Sequence, residues 1–123
     1  MIKLFTDNST HATRSLQIWQ ILIAKANSRQ TLTYGMLAQM LRFKGAGVLA
    51  PILGHIMFYC QQNNLPPLTV IVVNQRTGLP GEGLTDAELN ADREAVFNYD
   101  WFNLYPPSSE ELAEAYKFRN ALS

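Results

Sequence analysis

A helix-rich fold around a short sheet is what this sequence predicts, α/β in class and α+β in arrangement, and three observations carry that reading. Thr69-Val70-Ile71-Val72-Val73 is a β-branched run, stopped by Gly78-Leu79-Pro80-Gly81, and reads as a strand buried on both faces at the centre of the core. Apolar residues recur at three- and four-residue spacing both before and after that run, each stretch preceded by a capping residue. At 123 residues, with 47% hydrophobic and 16% charged residues, the chain has the composition of one globular domain able to bury its own core.

The first helix runs from a cap at Asn8, Ser9 or Thr10 to about Asn27, with Leu16, Trp19, Leu22, Ile23 and Ala26 on one stripe. Large aromatics on such a stripe bury their area, so Trp19 is read as core. Thr33 caps a second helix that turns Leu37, Ala38 and Leu41 inward. After the break at Phe43-Lys44-Gly45-Ala46-Gly47, a third helix starts near Val48 with Pro51 in its first turn. Its apolar face is Leu53, Ile56, Met57 and Cys60, and Asn63-Asn64-Leu65-Pro66-Pro67 ends it. Three short helices followed by a strand and a glycine-rich turn predict a helix-turn-helix with a wing. Beyond the turn, Thr85 or Asp86 caps a helix reaching about Tyr99, with Leu89, Ala91, Ala95 and Val96 as its apolar residues. Ser108 or Ser109 caps a last one, with Glu111 completing a capping box and Leu112, Ala115, Tyr116 and Phe118 on its face. One domain over 1–123 is expected, its winged-helix-like part at 1–83 and a helical extension at 84–123.

The formal net charge is zero, but its distribution is lopsided. Up to Gly81 seven basic residues face one acid, Asp7; from Glu82 onward nine acids face three basic residues. Such a division is either internal attraction between the halves or a surface for a charged partner. The apolar runs are far short of a membrane span, and the opening Met1-Ile2-Lys3-Leu4-Phe5 has no signal-like stretch, so a cytoplasmic protein without membrane contact is expected. The single cysteine, Cys60, excludes an internal disulfide and fits a reducing compartment. It falls on the apolar face of a helix with no charge nearby to activate it, and reads as an inert thiol. His55 reads as a packed or surface histidine, and His11 has no Cys or His at metal spacing. No HxxxH, CxxC or GxGxxG pattern occurs, so no metal site and no cofactor are expected.

Ile18-Trp19-Gln20, Thr31-Leu32-Thr33-Tyr34-Gly35-Met36-Leu37-Ala38 and the strand and turn from Val70 to Gly81 together resemble the DNA-binding, active-site domain of the O6-alkylguanine-DNA alkyltransferases and alkyltransferase-like proteins, over roughly Ile18 to Gly83. The resemblance implies a winged helix. Aligned on the turn glycines, the family's reactive Cys-His pair falls at about Val70-Ile71, and its base-replacing arginine falls near Val48. Neither valine nor isoleucine is a nucleophile or a base, so alkyl transfer is not expected. Tyr34 matches the family's phosphate-facing tyrosine. A catalytically inactive alkyltransferase-like DNA-binding or regulatory protein is one reading, resting on Tyr34 with the cations Arg29, Arg42, Lys44 and Arg76.

The other reading uses the acidic half. Asp86, Glu88, Asp92, Glu94 and Asp100, interleaved with Tyr99, Trp101, Phe102 and Tyr105, supply the ingredients of a protein-binding hot spot with an acidic rim, of which one or two aromatics are expected to be exposed. In size, absent chemistry and acidic surface the chain resembles bacterial immunity proteins and antitoxins of the contact-dependent growth-inhibition type. That resemblance implies a non-enzymatic toxin inhibitor whose site, at Asp86, Glu88, Asp92, Glu94, Asp100, Trp101 and Tyr105, covers the active site of a basic cognate toxin such as a nuclease.

Overall fold

The structure is a computed structural model and describes residues 1–76 and 86–120, with the backbone alone at 86–88. Among the described residues it holds five α-helices and one two-stranded parallel sheet: α1 (His11–Asn27), β1 (Leu32–Thr33), α2 (Tyr34–Met40), α3 (Leu49–Gln62), β2 (Val72–Val73), α4 (Asp86–Asn98) and α5 (Ser109–Lys117). Short 3-10 turns at Ala46–Val48, Leu68–Ile71 and Trp101–Asn103 join them. The predicted mixed, mostly helical class is what is observed.

Local chemistry sets the helix ends. Thr10 caps α1, its hydroxyl accepting from the Thr13 amide at 3.1 Å while the Thr13 hydroxyl accepts from the Thr10 amide at 3.1 Å. Thr33 Oγ1 accepts from the Met36 amide at 3.0 Å and starts α2 directly after β1. Ser108 and Glu111 form the expected box at α5, with bonds of 3.1 and 3.0 Å. The C-termini of α1, α2 and α3 share one solution. Arg29, Arg42 and Asn64 each adopt φ between 55° and 62° just past the helix, and the next residue's amide reaches back five positions: Gln30 to Lys25, Phe43 to Ala38, Leu65 to Cys60, each at 2.9 Å.

The β-branched run differs from expectation. Only Val72 and Val73 form a strand, paired in parallel with Leu32 and Thr33, while Leu68–Ile71 coils into a 3-10 turn. The closing turn of α1, with Arg29 at φ 55° and the Gln30 amide bonded back to Lys25 O, lies just ahead of β1, so in the parallel register the residues before Val72 have no partner strand. They close their bonds locally, the Val70 amide donating to Pro67 O at 3.0 Å and the Val72 amide to Thr69 O. The run is still buried throughout from Val70 to Val73, so its place in the core is as predicted. The turn at Gly78 to Gly83, the expected wing, and Thr85 as a cap lie outside the described residues.

The core gathers Ile18, Trp19 and Leu22 of α1, Ile52 and Ile56 of α3, Ile71 and Val72, Val96 of α4 and Leu112 of α5. α5 packs on α1 and α3, so the acidic end of the chain shares the core of the basic one. Two polar bonds tie these helices: Ser15 Oγ donates to Ile52 O at 2.7 Å, and Gln62 Nε2 to Ala115 O at 2.8 Å. Gly54 permits the α3–α5 approach, because a Cβ there would stand 3.1 Å from the Tyr116 ring. The apolar faces of the last helices are narrower than predicted. Ala91 and Ala95 are exposed while Leu89 and Val96, seven apart on one face, are buried, and Phe118 lies beyond the end of α5, exposed.

Candidate functional site

The aromatic segment after α4 is built around Trp101. Its ring is 2% exposed, its indole N–H donates to Val96 O at 2.8 Å, and it meets Trp19 edge to face with centroids 5.6 Å apart. Val96 lies in the last turn of α4, where carbonyls have no partner within the helix, so the indole also closes the helix end. Tyr99 tilts against Trp101 at 4.6 Å and is half-buried. Trp101 was predicted as a contact residue; it is instead an anchor, because an indole whose polar atom finds a buried acceptor gains more in the core than on the surface. The outcome for its neighbours is the reverse. Phe102 is 62% exposed and Tyr105 is 93% exposed, both following the fixed tryptophan, with Asp100 exposed just before it.

The acids predicted to make one rim do not share a face. Residues two apart on a helix are separated by roughly 200°, and Asp92 and Glu94 of α4 diverge accordingly. Glu94 accepts from Arg29 Nη2 at 2.7 and 2.9 Å, and Arg29 Nη1 donates to Asn98 at 3.2 Å with its guanidinium over the Phe97 ring. The Arg29 hydrogen bond holds the Glu94 carboxyl below its usual range. Here the opposite charges of the two halves attract within the fold. The side chains of Asp86 and Glu88 lie outside the described residues. Further acids that the sequence reading did not select line the outer side of α5: Glu110, Glu111 and Glu114, around a shallow groove with Tyr59 and Phe118.

Asp92 turns the other way, into a cleft of about 710 Å³ between α3, the Leu68–Ile71 turn and α4. Ala46, Ala50, Leu53, Met57, Pro67 and Val70 give it apolar walls, and Tyr34, Gln61, Thr69 and Asn74 reach it with polar groups. Tyr34 is half-buried, and burial pushes its phenol above the usual range. The cleft was not foreseen, since its lining is assembled from stretches far apart in the chain, at Tyr34, 46–61, 67–74 and Asp92, with no local motif among them.

The cations of the nucleic-acid reading are spread out. Arg29 is engaged with Glu94; Arg42, Lys44 and Arg76 are exposed, and among the described residues none of these three pairs with an acid. Helix α3, the second helix of the predicted helix-turn-helix, contains no Lys or Arg, and its one ionisable base, His55, is buried. His55 Nδ1 donates to Pro51 O at 2.7 Å, and its ring stacks on Tyr116 at 4.3 Å with His11 edge-on at 6.1 Å. Burial holds its pKa below the ordinary imidazole value, partly opposed by the bond to Pro51, with His11 and Arg119 adding like-charge repulsion. Cys60 is buried, and burial pushes its thiol up to about 11, leaving it protonated near neutral pH and a poor nucleophile. Val70 and Ile71, at the position where the alkyltransferase resemblance would need Cys and His, are buried apolar residues, and Val48, in place of its arginine, is exposed. Among the described residues no three His, Cys, Asp or Glu side chains converge as a metal site, and no helix is long and apolar enough to cross a membrane.

No family model, curated protein or solved structure matches this chain.

Proposed function

We propose that the chain is a non-enzymatic protein-binding module, an immunity or antitoxin protein that acts in the cytoplasm by covering the active site of a basic cognate toxin. One observation carries the reading: Phe102 and Tyr105 stand exposed one and four residues after a tryptophan locked into the core. A platform fixed before binding loses little freedom on association, and aromatic side chains concentrate interface energy. Asp100, Glu110 and Glu114 are exposed nearby in sequence and supply the negative field that draws a basic surface. The DNA-binding alternative is less favoured because α3 offers no cation to phosphate, and its one exposed polar side chain is Gln61, in its last turn.

The test is to co-express the chain with the product of an adjoining toxin-like reading frame, following growth of the host and then affinity of the purified pair. Phe102→Ala with Tyr105→Ala is expected to weaken binding by at least about thirtyfold, since even one hot-spot aromatic contributes roughly 2 kcal/mol or more, with the thermal midpoint of the free chain unchanged. The reading fails if the double variant protects and binds as well as the parent. It fails equally if the chain binds duplex DNA with a steep salt dependence that Arg42→Glu and Lys44→Glu remove.

A further inference from the structure

We propose that the cleft between α3, the Leu68–Ile71 turn and α4 is a binding site for a small organic monocation, an ammonium group carried on an apolar body. The site is separate from the Phe102–Tyr105 platform and does not depend on the protein-binding reading. Its volume of about 710 Å³ lies within the range of roughly 300–1,000 Å³ in which small ligands are held. Among the described residues that line it, Asp92 is the only charged one. Asp92 is half-buried, and among the described residues no hydrogen bond or ion pair engages it, whereas Glu94 on the opposite side of the same helix is held by Arg29.

That combination selects ligand chemistry. A carboxylate beside apolar walls repels an anion and gives a neutral molecule nothing that water does not, while a cation recovers the attraction that the protein leaves unused. Ala50, Leu53, Met57 and Val70 form apolar walls that suit the hydrocarbon body of such an amine. The side-chain carbonyl of Gln61 and the Thr69 hydroxyl are acceptors for the ammonium hydrogens that Asp92 leaves free, while the Asn74 side-chain oxygen already accepts from the Arg76 amide at 2.8 Å.

The experiment is a titration of the isotopically labelled chain, followed by amide chemical shifts, with phenethylammonium chloride, 2-phenylethanol and 3-phenylpropionate as matched cationic, neutral and anionic probes. The cation is expected to shift cleft amides and to bind about three- to fivefold more tightly than the alcohol, as one partly screened ion pair allows, with the anion weakest. Asp92→Asn should bring cation and alcohol level while leaving the alcohol's own affinity in place. Ala50→Trp, at an exposed lining position where the new ring needs no core rearrangement, should abolish both. The proposal is overturned if none of the probes shifts the cleft, if the alcohol matches the cation on the parent chain, or if Asp92→Asn keeps the preference. It is also overturned if a blocked lysine amide occupies the cleft and phenethylammonium does not, because the occupant would then be a protein side chain.

Discussion

Replacing Trp101 by Phe tests whether the aromatic segment is anchored as described. The substitution keeps an aromatic ring but deletes the indole N–H that donates to Val96 O at 2.8 Å and shortens the edge-to-face contact with Trp19. An acceptor left buried and unsatisfied costs about 1–3 kcal/mol, and the lost part of an aromatic pair adds about 0.5–1 kcal/mol. A loss of about 2–3 kcal/mol is therefore expected, a large share of the roughly 5–15 kcal/mol by which domains are stable. At roughly 3–5 °C per kcal/mol for a chain of this size, the melting midpoint should fall by about 10 °C. Urea titration read by far-ultraviolet circular dichroism gives the free energy, and Phe102→Ala is the matched control. Phe102 is exposed, so its truncation should stay within about 0.5 kcal/mol of the parent. If Trp101→Phe costs no more than Phe102→Ala, the tryptophan is not the anchor, and the fixed platform loses its support.

Three further outcomes follow from the same structure. His55 binds its proton less readily folded than unfolded, so between its lowered folded value and the ordinary 6.5 the unfolded chain holds more protons. Stability should accordingly be full above that value and decline as pH falls through the window; urea midpoints from pH 7.5 to 5 measure it, and His55→Phe should flatten the slope. Cys60, buried with its thiol at about 11, should react with an aromatic disulfide reagent only as fast as the chain opens, so the labelling rate should rise with urea in step with unfolding. Arg42 sits at φ 62° without an acidic partner among the described residues, so Arg42→Gly should stabilise by about 0.5–1 kcal/mol in thermal melts. Arg29→Gly should gain less, because it also gives up the bonds to Glu94 and Asn98.

What was readable in the sequence was local chemistry. Thr10, Thr33 and Ser108 cap helices because each hydroxyl needs only an amide three residues ahead, and Trp19, Leu22 and Leu37 are buried because helical spacing alone puts them on one face. The strand was misjudged because β-branched composition reports burial, whereas a strand also needs a partner, and the start of that partner was set by the closing turn of α1 at Arg29 and Gln30, some forty residues earlier. Half of the aromatic site was legible. The cluster at 99–105 was evident, but which ring turns inward depends on an acceptor at Val96 and a ring at position 19, and neither leaves a mark in the segment itself. The grouping of acids failed for a related reason: Asp92 and Glu94 are neighbours in sequence and look to opposite sides of one helix.

The contact between Trp19 and Trp101 has a practical consequence. They are the only two tryptophans in the chain, and one comes from α1 while the other follows α4. Their emission is therefore a built-in gauge of whether the acidic C-terminal part remains seated on the N-terminal helices. Fraying at a terminus leaves that signal untouched, whereas any event that lifts the segment after α4 separates the two indoles and opens one to water. A ligand or protein that engages Phe102 acts on the residue next to this gauge, so its arrival can be followed in unlabelled protein, in real time, by light alone.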